Sequence, residues 1–243
     1  MILASLEQIK KAQKKQLAVL IDPDNQSPEQ LIDFVKRADE CGASYFFIGG
    51  SLMISNDLEE SILAVKTATT KPVILFPGSP LQINEKADAI LLLSLISGRN
   101  AEMLIGHHVV AAPTLKRADL EVLSTGYILV DGGRQTTASF MSGTTPIPSD
   151  KPDIAMATAM AGEMLGLKLI YMDAGSGAQQ RITGEMIKKV AGAINVPLIV
   201  GGGMRTVEDV QTCFDHGADI AVVGNALEAN PEFLNELASI ISN

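Results

Sequence analysis

Two aspartates directly follow the first apolar run of the chain, and this residue type in this position suits a divalent cation. Asp22 and Asp24 lie on either side of a proline after Leu17–Ile21. Mg²⁺ commonly takes one or two carboxylates together with substrate phosphates, so the pair predicts a magnesium site. The same residues could instead only begin a helix. Ser51, at the end of Gly49–Ser51 after the second apolar run, offers a hydroxyl to a ligand or a metal, or forms part of a turn.

Three glycine-containing segments further along the chain have the composition of an anion site. The first follows the sixth apolar run and reads Asp-Ala-Gly-Ser-Gly-Ala over residues 173–178. Small residues let several backbone N–H groups converge on one anion. The other two, Gly201–Gly203 and Gly224–Ala226, each precede a predicted helix, whose N-terminus favours a negative charge. Asp173 could bind a substrate hydroxyl, and Tyr171 could do the same or shape the wall of the site.

Short apolar runs and longer helical patterns alternate along the chain and must position these residues. The apolar runs are Leu17–Ile21, Tyr45–Ile48, Pro72–Leu75, Ala89–Leu93, Tyr127–Val130, Leu169–Met172, Pro197–Val200 and Ile220–Val223. Because they are continuous rather than alternating, they indicate strands covered on both faces of a parallel sheet. The helical patterns are Pro28–Cys41, Leu58–Thr67, Asp153–Leu165, Thr183–Ala193, Val207–His216 and Pro231–Ile241. We read eight strand–helix repeats, which predict the α/β class and one (β/α)₈ TIM-type barrel over residues 1–243, with residues 1–16 forming an N-terminal helix that covers the barrel.

A barrel explains where the candidate residues fall. Its active site lies at the C-terminal ends of the strands, and the loops after strands seven and eight commonly hold a phosphate. A doubly wound sheet, the structural alternative, would place its glycine-rich loop after the first strand, where this chain has Asp22-Pro23-Asp24. The residues therefore predict an enzyme that holds a phosphorylated small molecule, with a Mg²⁺ site across the mouth.

Two segments depart from the regular alternation. Residues 94–100 form a predicted loop that is followed by a weak helical pattern, so we expect an irregular fourth βα unit. Gly132–Lys151 is rich in Gly, Ser, Thr and Pro and is the longest flexible candidate. Loops of that length are commonly functional, and we expect this one to be a lid.

The composition excludes several classes of protein. Lys and Arg total 19 against 28 Asp and Glu, and the formal net charge of −9 argues against a non-specific nucleic-acid binder. Three Tyr, seven Phe and no Trp are too few for an obvious base-stacking platform. Neither a cleavable leader nor a membrane span is expected, because no apolar run approaches the roughly 20 residues that a span needs. We expect a cytoplasmic protein whose two cysteines, Cys41 and Cys213, are buried and reduced.

The remaining polar candidates favour structural roles. His107 and His108 are adjacent, so they are expected to face different directions and to be satisfied or on the surface. His216 is expected to interact with the end of a helix. Four loop cations could meet a diphosphate, although each is more often a solvated charge: Arg99, Arg134, Lys151 and Arg181.

Seven motifs, taken together and in order, resemble the geranylgeranylglyceryl phosphate synthase family. They are Leu20–Asp24, Gly49–Ser51, Ser97–Asn100, Pro146–Pro148 with Lys151-Pro152, Tyr171–Ala178, Gly201–Arg205 and Gly224-Asn225. The match runs over nearly the whole chain, and it is specific to this family rather than to barrels in general. The insert around Ser142–Lys151 resembles the larger subgroup of the family.

The resemblance implies a function. Members of the family are prenyltransferases that join the 3-hydroxyl of sn-glycerol 1-phosphate to a long isoprenoid diphosphate, such as geranylgeranyl diphosphate, and release diphosphate. They make the first ether bond of archaeal-type lipids and need Mg²⁺. They are commonly homo-oligomers, either dimers or hexamers.

The same resemblance assigns roles to positions of this chain. Asp22 and Ser51 match the Mg²⁺-binding positions, and Asp173 and Tyr171 are the expected catalytic residues. The residues that match the glycerol-phosphate site are Tyr171, Met172, Asp173, Ala174, Gly175, Ser176, Gly177, Gly202, Gly203, Gly224 and Asn225. Asp173 departs from the family pattern, because many members have the longer Glu here, and this changes the geometry of its contact to a glycerol hydroxyl.

An isoprenoid also needs an apolar groove that leads from the barrel mouth. We expect this groove over the irregular fourth unit, where a missing or thinned helix would open the wall, and we expect the wall to be aliphatic and rich in methionine. Two other functions stay open on the residues alone. One is a phosphosugar isomerase or lyase, which would need a general acid and base facing the phosphate. The other is a barrel that binds phosphate without catalysis.

Overall fold

Eight parallel strands pair in chain order and close into a barrel, which confirms the predicted (β/α)₈ architecture. The computed structural model describes residues 1–54, 57–230 and 232–241. The strands are β1 (Gln16–Ile21), β2 (Tyr45–Ile48), β3 (Val73–Leu75), β4 (Ala89–Leu95), β5 (Glu121–Leu129), β6 (Leu169–Asp173), β7 (Leu198–Gly201) and β8 (Ile220–Val223). Strand β1 also pairs with β8, where Val19 lies opposite Val223, and this pairing closes the barrel.

Helices lie around the barrel and at its ends. They are α1 (Ile2–Lys11), α2 (Pro28–Glu40), α3 (Leu58–Ala68), α4 (His107–Arg117), α5 (Thr137–Ser142), α6 (Pro152–Met164), α7 (Gly184–Ala191), α8 (Val207–Asp215), α9 (Asn225–Ala229) and α10 (Glu232–Ile241). Each predicted helical stretch matches one of these helices to within two residues at either end, and Pro231, the predicted start of the last one, lies outside the described residues. His216 ends α8 as predicted, with its Nδ1 atom 2.7 Å from the carbonyl oxygen of Thr212.

Alternate residues of each strand belong to two separate cores, as the pleat of a strand requires. On β6, Leu169 and Tyr171 pack inside the barrel, whereas Ile170 and Met172 pack in the outer core beneath the helices. The inward series of β6 ends with Asp173 at the C-terminal mouth. The two-residue period therefore decides which side chains of a predicted motif can reach a ligand.

The connection from β3 to β4 contains no α-helix, which corrects the expectation of eight regular strand–helix repeats. Across the described residues 76–88 only a short 3₁₀ turn forms, at Pro80–Gln82. Pro77, Gly78 and Pro80 explain this, because proline lacks a backbone donor and glycine disfavours helix interiors. The ring of helices is thus open on the side of the third unit.

The fourth unit is irregular, as predicted, but its helix is neither missing nor thinned. Helix α4 has 11 residues and contains Pro113. A π-helical turn, Glu102–Gly106, precedes it. Such turns are rare and are frequent at functional sites. The opening in the barrel wall therefore lies between the β3–β4 connection and α4, with an intact helix on one side.

Helix α1 packs against the N-terminal ends of the strands, opposite the predicted active site. The backbone N–H groups of Ile2 and Leu3 donate to the Glu121 carboxylate at the start of β5, over 2.5 and 2.8 Å. Leu6 and Ile9 join the core inside the barrel. This contact closes the lower end of the barrel, so ligands are left with the C-terminal mouth.

The two cysteines differ in burial. Cys213 is fully buried, as predicted, but Cys41 is only half-buried, so the prediction for Cys41 is wrong. Cys41 follows the last residue of α2, and its thiol faces the amide oxygen of Asn235 on α10 at 3.6 Å. No helix in the described parts of the chain has both the length and the apolar character needed to cross a bilayer.

Candidate active site

A cavity at the C-terminal mouth is formed by the loops that follow β6, β7 and β8. It measures about 980 Å³ including its open entrance. Eight of the residues expected to bind glycerol phosphate line it: Tyr171, Gly175, Ser176, Gly177, Gly202, Gly203, Gly224 and Asn225. We call this space the glycine cavity. The Ser176 hydroxyl and the Asn225 Oδ1 atom lie 3.0 Å apart in a hydrogen bond that joins two of its loops.

Two glycines of this cavity are required by backbone conformation and by close packing. Gly202 has a φ of +84° and Gly203 a φ of +72°, which side chains rarely adopt. A Cβ on Gly202 would lie 2.7 Å from both the Asp173 Oδ1 atom and the backbone nitrogen of Gly175. The loops after β6 and β7 therefore touch backbone to backbone at Gly202, with no room for a side chain between them.

Asp173 is a buried carboxylate between the loops, with only 6% of its surface exposed. Its Oδ2 atom accepts a hydrogen bond from the Tyr127 hydroxyl at 2.5 Å, and its Oδ1 atom accepts one from Gly175 N–H at 2.7 Å. Burial raises the pKa of Asp173 above its ordinary value, and these two hydrogen bonds partly offset the rise. A carboxylate of increased basicity at a strand end is suited to accept a proton from a substrate hydroxyl.

Tyr127 is a functional candidate that sequence reasoning missed. It lies on β5 and is the register partner of Tyr171 on β6. Burial is the main cause that raises the pKa of Tyr127 well above its ordinary value, and the nearby Asp173 adds to it, so the phenol stays protonated and donates. The sequence did contain an indication of this role. Tyr127 begins the predicted fifth strand, and a tyrosine inside a barrel needs a hydrogen-bond partner for its hydroxyl.

Met172 and Ala174, which were expected in the glycerol-phosphate site, do not present side chains to the cavity. Both are almost fully buried in the outer core, between the barrel and the helices. The strand period is the reason, since each neighbours Asp173 and therefore points to the opposite face. The backbone N–H of Ala174 is also occupied, because it donates to Gly201 O at 3.1 Å.

A second cavity, which we call the apolar groove, leads from the mouth to the opening between the β3–β4 connection and α4. It measures about 840 Å³. Its lining includes Phe76, Ile90, Leu91, Leu92, Leu93, Leu95, Met103, Ala111, Tyr127, Leu129, Ala138 and Met141, with Gly50 and Ser51 near its polar end. Most of these side chains are aliphatic, and two are methionines. The groove borders the fourth unit, where an apolar channel was expected, although its other wall comes from the third.

Both adjacent histidines, which were expected to face different directions, contribute to the lining of the apolar groove. They lie in the first turn of α4, beside the π-helical turn that alters the helical spacing. Among the described residues the buried Nδ1 atom of His108 has no hydrogen-bond partner, so this one atom departs from the expected satisfied role. Burial lowers the pKa of His108, which favours a neutral ring in this apolar wall.

Asp22 and Ser51 fit a cation that is completed by a ligand. Asp22 is half-buried, and its Oδ1 atom accepts a hydrogen bond from Asp24 N–H at 3.1 Å. Its Oδ2 atom faces Gly50, 3.7 Å from where a Cβ would lie. Burial raises the pKa of Asp22, and a nearby cation would relieve this cost. Within the described residues no cluster of three or more His, Cys, Asp or Glu is placed to hold a metal.

Three of the four loop cations bond to this chain. Arg99 donates to Gly98 O, Lys151 pairs with its neighbour Asp150, and Arg181 pairs with Asp209 at 2.7 Å. The fourth, Arg134, lies at the glycine cavity, where its guanidinium is 3.4 Å from where a Cβ on Gly177 would be.

The long segment Gly132–Lys151, which was expected to be a flexible lid, contains the short helix α5, and its function as a lid stays a prediction. Thr136 caps α5 by accepting a hydrogen bond from Ser139 N–H. The Asn100 side chain donates to Ser142 O at 2.7 Å and ties this segment to the fourth unit. The segment thereby forms one edge of the apolar groove.

Comparisons with known proteins agree over nearly the full length. A geranylgeranylglyceryl phosphate synthase of Chitinophaga pinensis is 53% identical over 227 residues, which cover 93% of this chain and 90% of that protein. The crystal structure of (S)-3-O-geranylgeranylglyceryl phosphate synthase from Thermoplasma acidophilum, in complex with its substrate sn-glycerol-1-phosphate, matches with a TM-score of 0.93. The two sequences are 31% identical, and the match covers 100% of this chain and 97% of the chain in that crystal structure.

A sugar-phosphate enzyme shares the fold at much lower similarity. The N-acetylmannosamine-6-phosphate 2-epimerase of Clostridium perfringens matches with a TM-score of 0.59 and 15% identity, covering 96% of each chain. This likeness reflects the barrel alone. The profile of the PcrB family, in contrast, matches residues 8–241. The chain therefore belongs to the PcrB family.

Proposed function

We propose that this protein is a geranylgeranylglyceryl phosphate synthase, a prenyltransferase that joins the 3-hydroxyl of sn-glycerol 1-phosphate to an isoprenoid diphosphate. One observation carries this proposal beyond the family relationship. A cavity suited to a phosphate and a groove suited to a prenyl chain meet at the hydrogen-bonded pair of Asp173 and Tyr127. Tyr127 lines the apolar groove. Gly175 lines the glycine cavity and donates a hydrogen bond to Asp173.

The glycine cavity is the proposed site of glycerol phosphate. Backbone N–H groups of its loops would bind the phosphate, and the loop before α8 adds the positive end of a helix. This grip relies mainly on backbone N–H groups, with Arg205 in the lining and Arg134 beside Gly177 adding positive charge, and it is compatible with a net charge of −9. With the phosphate held there, the glycerol moiety extends toward Asp173 and Tyr171, and its 3-hydroxyl reaches the junction with the groove.

Asp173 is the proposed proton acceptor. As the glycerol oxygen forms its bond to the prenyl carbon, the hydroxyl proton passes to the Asp173 carboxylate, whose basicity burial increases. The Tyr127 hydroxyl orients that carboxylate from the groove side. Tyr171, which is 1% exposed, forms the wall between the reacting groups and the barrel interior.

Asp22 and Ser51 are the residues that would hold Mg²⁺ at the other side of the mouth. The ion, when bound, neutralises charge on the diphosphate leaving group. Ser51 also lines the apolar groove, which supports a diphosphate position at the polar end of the proposed prenyl channel. The isoprenoid chain then lies along the leucines of β4 toward α4, where the burial of its apolar surface supplies binding energy.

The test of this function is a direct assay of ether formation. The protein is incubated with sn-glycerol 1-phosphate, Mg²⁺ and prenyl diphosphates of increasing chain length, and products are identified by mass spectrometry. We expect a prenyl ether of glycerol phosphate with at least one chain length. The absence of an ether product with every chain length would reject the proposal. The cytoplasmic location and the assembly into dimers or hexamers stay predictions, and light scattering after size exclusion measures the assembly.

Replacing Tyr127 by Phe is expected to shift the pH profile of kcat. The hydrogen bond from the Tyr127 hydroxyl lowers the pKa of Asp173, so its loss raises that pKa further. Because the reaction needs the deprotonated carboxylate, the acid limb of the profile should move to higher pH. The profile of kcat against pH is measured for both proteins. An unchanged acid limb would show that Asp173 is not the group whose ionisation limits the rate.

Replacing Asp22 by Asn is expected to raise the Mg²⁺ concentration needed for half-maximal activity by at least tenfold, because the amide carries no charge for the cation. Asp24→Asn is the matched control. In the wild-type protein the Asp24 Oδ2 atom accepts a hydrogen bond from Ile54 N–H at 2.7 Å, so the Asp24 carboxylate is turned toward the neighbouring loop. Activity is titrated with Mg²⁺ for both variants, and equal effects would contradict the assignment of Asp22 as the ligand.

A further inference from the structure

Three aromatic rings converge at the junction of the two cavities. The chain has three Tyr and seven Phe, and the cluster contains Phe76, Tyr127 and Tyr171. The ring centroids are 5.9 Å apart for Phe76 and Tyr127, 5.1 Å for Phe76 and Tyr171, and 5.5 Å for the two tyrosines. Phe76 and Tyr127 line the apolar groove, and Tyr171 lines the glycine cavity. The rings therefore stand where the two proposed substrates meet.

The barrel geometry brings these rings together from distant parts of the sequence. Tyr127 and Tyr171 are register partners on neighbouring strands and point inward. Phe76 follows β3, and its backbone N–H extends the sheet by donating to Ile48 O at 2.8 Å, so its ring enters the mouth from another side of the barrel. Phe76 stacks on Tyr171 with an interplanar angle of 19°, while both pairs that involve Tyr127 are edge-to-face.

The expectation of an aliphatic wall is wrong in one place, where the three aromatic rings lie. Along β4 and α4 the groove is lined by leucine, isoleucine, alanine and methionine, as expected. Beside Asp173, however, the lining is aromatic. Aliphatic side chains offer a positive charge no electrostatic stabilisation, whereas the face of an aromatic ring carries partial negative charge and attracts a cation.

The proposed reaction places such a cation here, and the following inference rests on that function. The bond between C1 of the prenyl chain and the diphosphate oxygen breaks, and its electron pair leaves with the diphosphate. The positive charge is shared across the allylic carbons. A lone pair of the glycerol 3-hydroxyl then forms the new bond to C1, and the hydroxyl proton passes to Asp173. Between these events the charge lies at the polar end of an apolar groove, where it would be costly without a compensating group.

We propose that Phe76 and Tyr127 are catalytic residues that stabilise the developing allylic cation through their ring faces, with Tyr171 holding the Phe76 ring in place. Phe76 has no polar atom in its side chain, so neither a hydrogen bond nor proton transfer explains its place in the lining. Phe76 is 9% exposed and contributes to the lining of the groove. Because the interaction grows as charge develops, it lowers the barrier more than it strengthens substrate binding.

The experiment is a graded fluorination of the Phe76 ring. Phenylalanine analogues with one, two and three ring fluorines, introduced at position 76, withdraw charge from the ring face while they nearly preserve its size. The wild-type protein is assayed first, because a wild type without ether product rejects the proposed function and not the role of the ring. With an active wild type, we expect the single-turnover rate constant to fall with each fluorine, by about 3- to 30-fold over the series. KM for both substrates should stay unchanged.

Phe46 provides the matched control. It lies on the neighbouring strand β2 and is fully buried, but it packs in the outer core away from the mouth. The same analogues at position 46 should leave the rate constant unchanged. A flat series at Phe76 would overturn the proposal, and so would an equal fall at Phe46, which would indicate a general effect on the barrel. Phe76→Leu, checked for folding by thermal unfolding, should slow the reaction at least as much as the trifluorinated ring.

Discussion

Asp173→Asn is expected to lower kcat by about 10²- to 10⁴-fold, which is the usual contribution of a positioned general base. The amide is nearly the same size and can still accept the hydrogen bond from Gly175 N–H, but it cannot take the proton of the glycerol hydroxyl. KM for glycerol phosphate should change much less than kcat, because the backbone of the glycine cavity is unaltered. Single-turnover and steady-state assays with saturating substrates measure both quantities. A loss of activity below threefold would show that Asp173 only positions the substrate.

The same substitution should not destabilise the fold, and the sign of its pH dependence follows from the pKa shift. Burial raises the pKa of Asp173 in the folded protein, so the folded state holds this proton more tightly than the unfolded state. The contribution of the group to stability is full below its ordinary pKa of 3.8 and is lost as pH rises through the raised value. We therefore expect the difference in unfolding free energy between Asp173→Asn and the wild type to become more favourable to the variant as pH rises from 3.8 to the raised pKa.

Asp219→Asn is the control for these effects, since Asp219 is another buried carboxylate, 4% exposed, at the opposite end of the barrel. It accepts a hydrogen bond from Leu198 N–H at 2.8 Å and pairs with Lys10 at 3.2 Å. Its replacement should lower stability and leave kcat near the wild-type value. The two variants together separate a catalytic carboxylate from a structural one.

Gly202→Ala is expected to raise KM for glycerol phosphate by at least 100-fold. The new Cβ would lie 2.7 Å from the Asp173 Oδ1 atom and 2.8 Å from the backbone nitrogen of Ala174, so the loops after β6 and β7 must separate. Their separation would scatter the N–H groups that are proposed to bind the phosphate. The positive φ of +84° adds a backbone penalty of about 1–2 kcal/mol. Initial rates over a range of glycerol phosphate concentrations measure the effect.

Gly166→Ala is the control, because it introduces the backbone penalty of a positive φ without the steric clash. Gly166 has a similar φ of +90°, and a Cβ there would meet nothing within 4 Å. It follows α6 and lies away from the mouth. This variant should lose stability through strain while its KM stays normal. If Gly202→Ala kept a normal KM, or if Gly166→Ala raised it equally, the glycine cavity would not be the phosphate site.

The acidic composition of the chain is consistent with two anionic substrates because net charge and site charge have different origins. The net charge of −9 is a sum over the whole chain. The glycine cavity offers backbone N–H groups, whose partial charges do not enter that sum. Asp22 contributes to the acidic excess and would be neutralised by its cation. A charge count therefore argues against a non-specific nucleic-acid binder but does not predict the sign of a small ligand.

Sequence patterns alone predicted the barrel and most of the glycine cavity, because both depend on local chemistry. Continuous apolar runs are typical of strands covered on both faces, and their spacing predicts parallel crossovers. Gly202, Gly203 and Gly224 follow such runs, and in a barrel the ends of all parallel strands meet on one face. The order of the elements was therefore sufficient to bring these loops together.

Tertiary structure decided what depends on facing direction and on distant partners. The pleat turns Met172 into the outer core and Asp173 into the mouth, and a run of apolar letters does not reveal which alternate residue faces inward. The hydrogen bond from Tyr127 to Asp173 spans 46 positions, and the stack of Phe76 on Tyr171 spans more. The opening of the wall after β3 arises because Pro77, Gly78 and Pro80 disfavour a helix, and the groove forms only when α4 packs beside that gap. Each of these features is set by the closure of the barrel, which brings remote residues into contact.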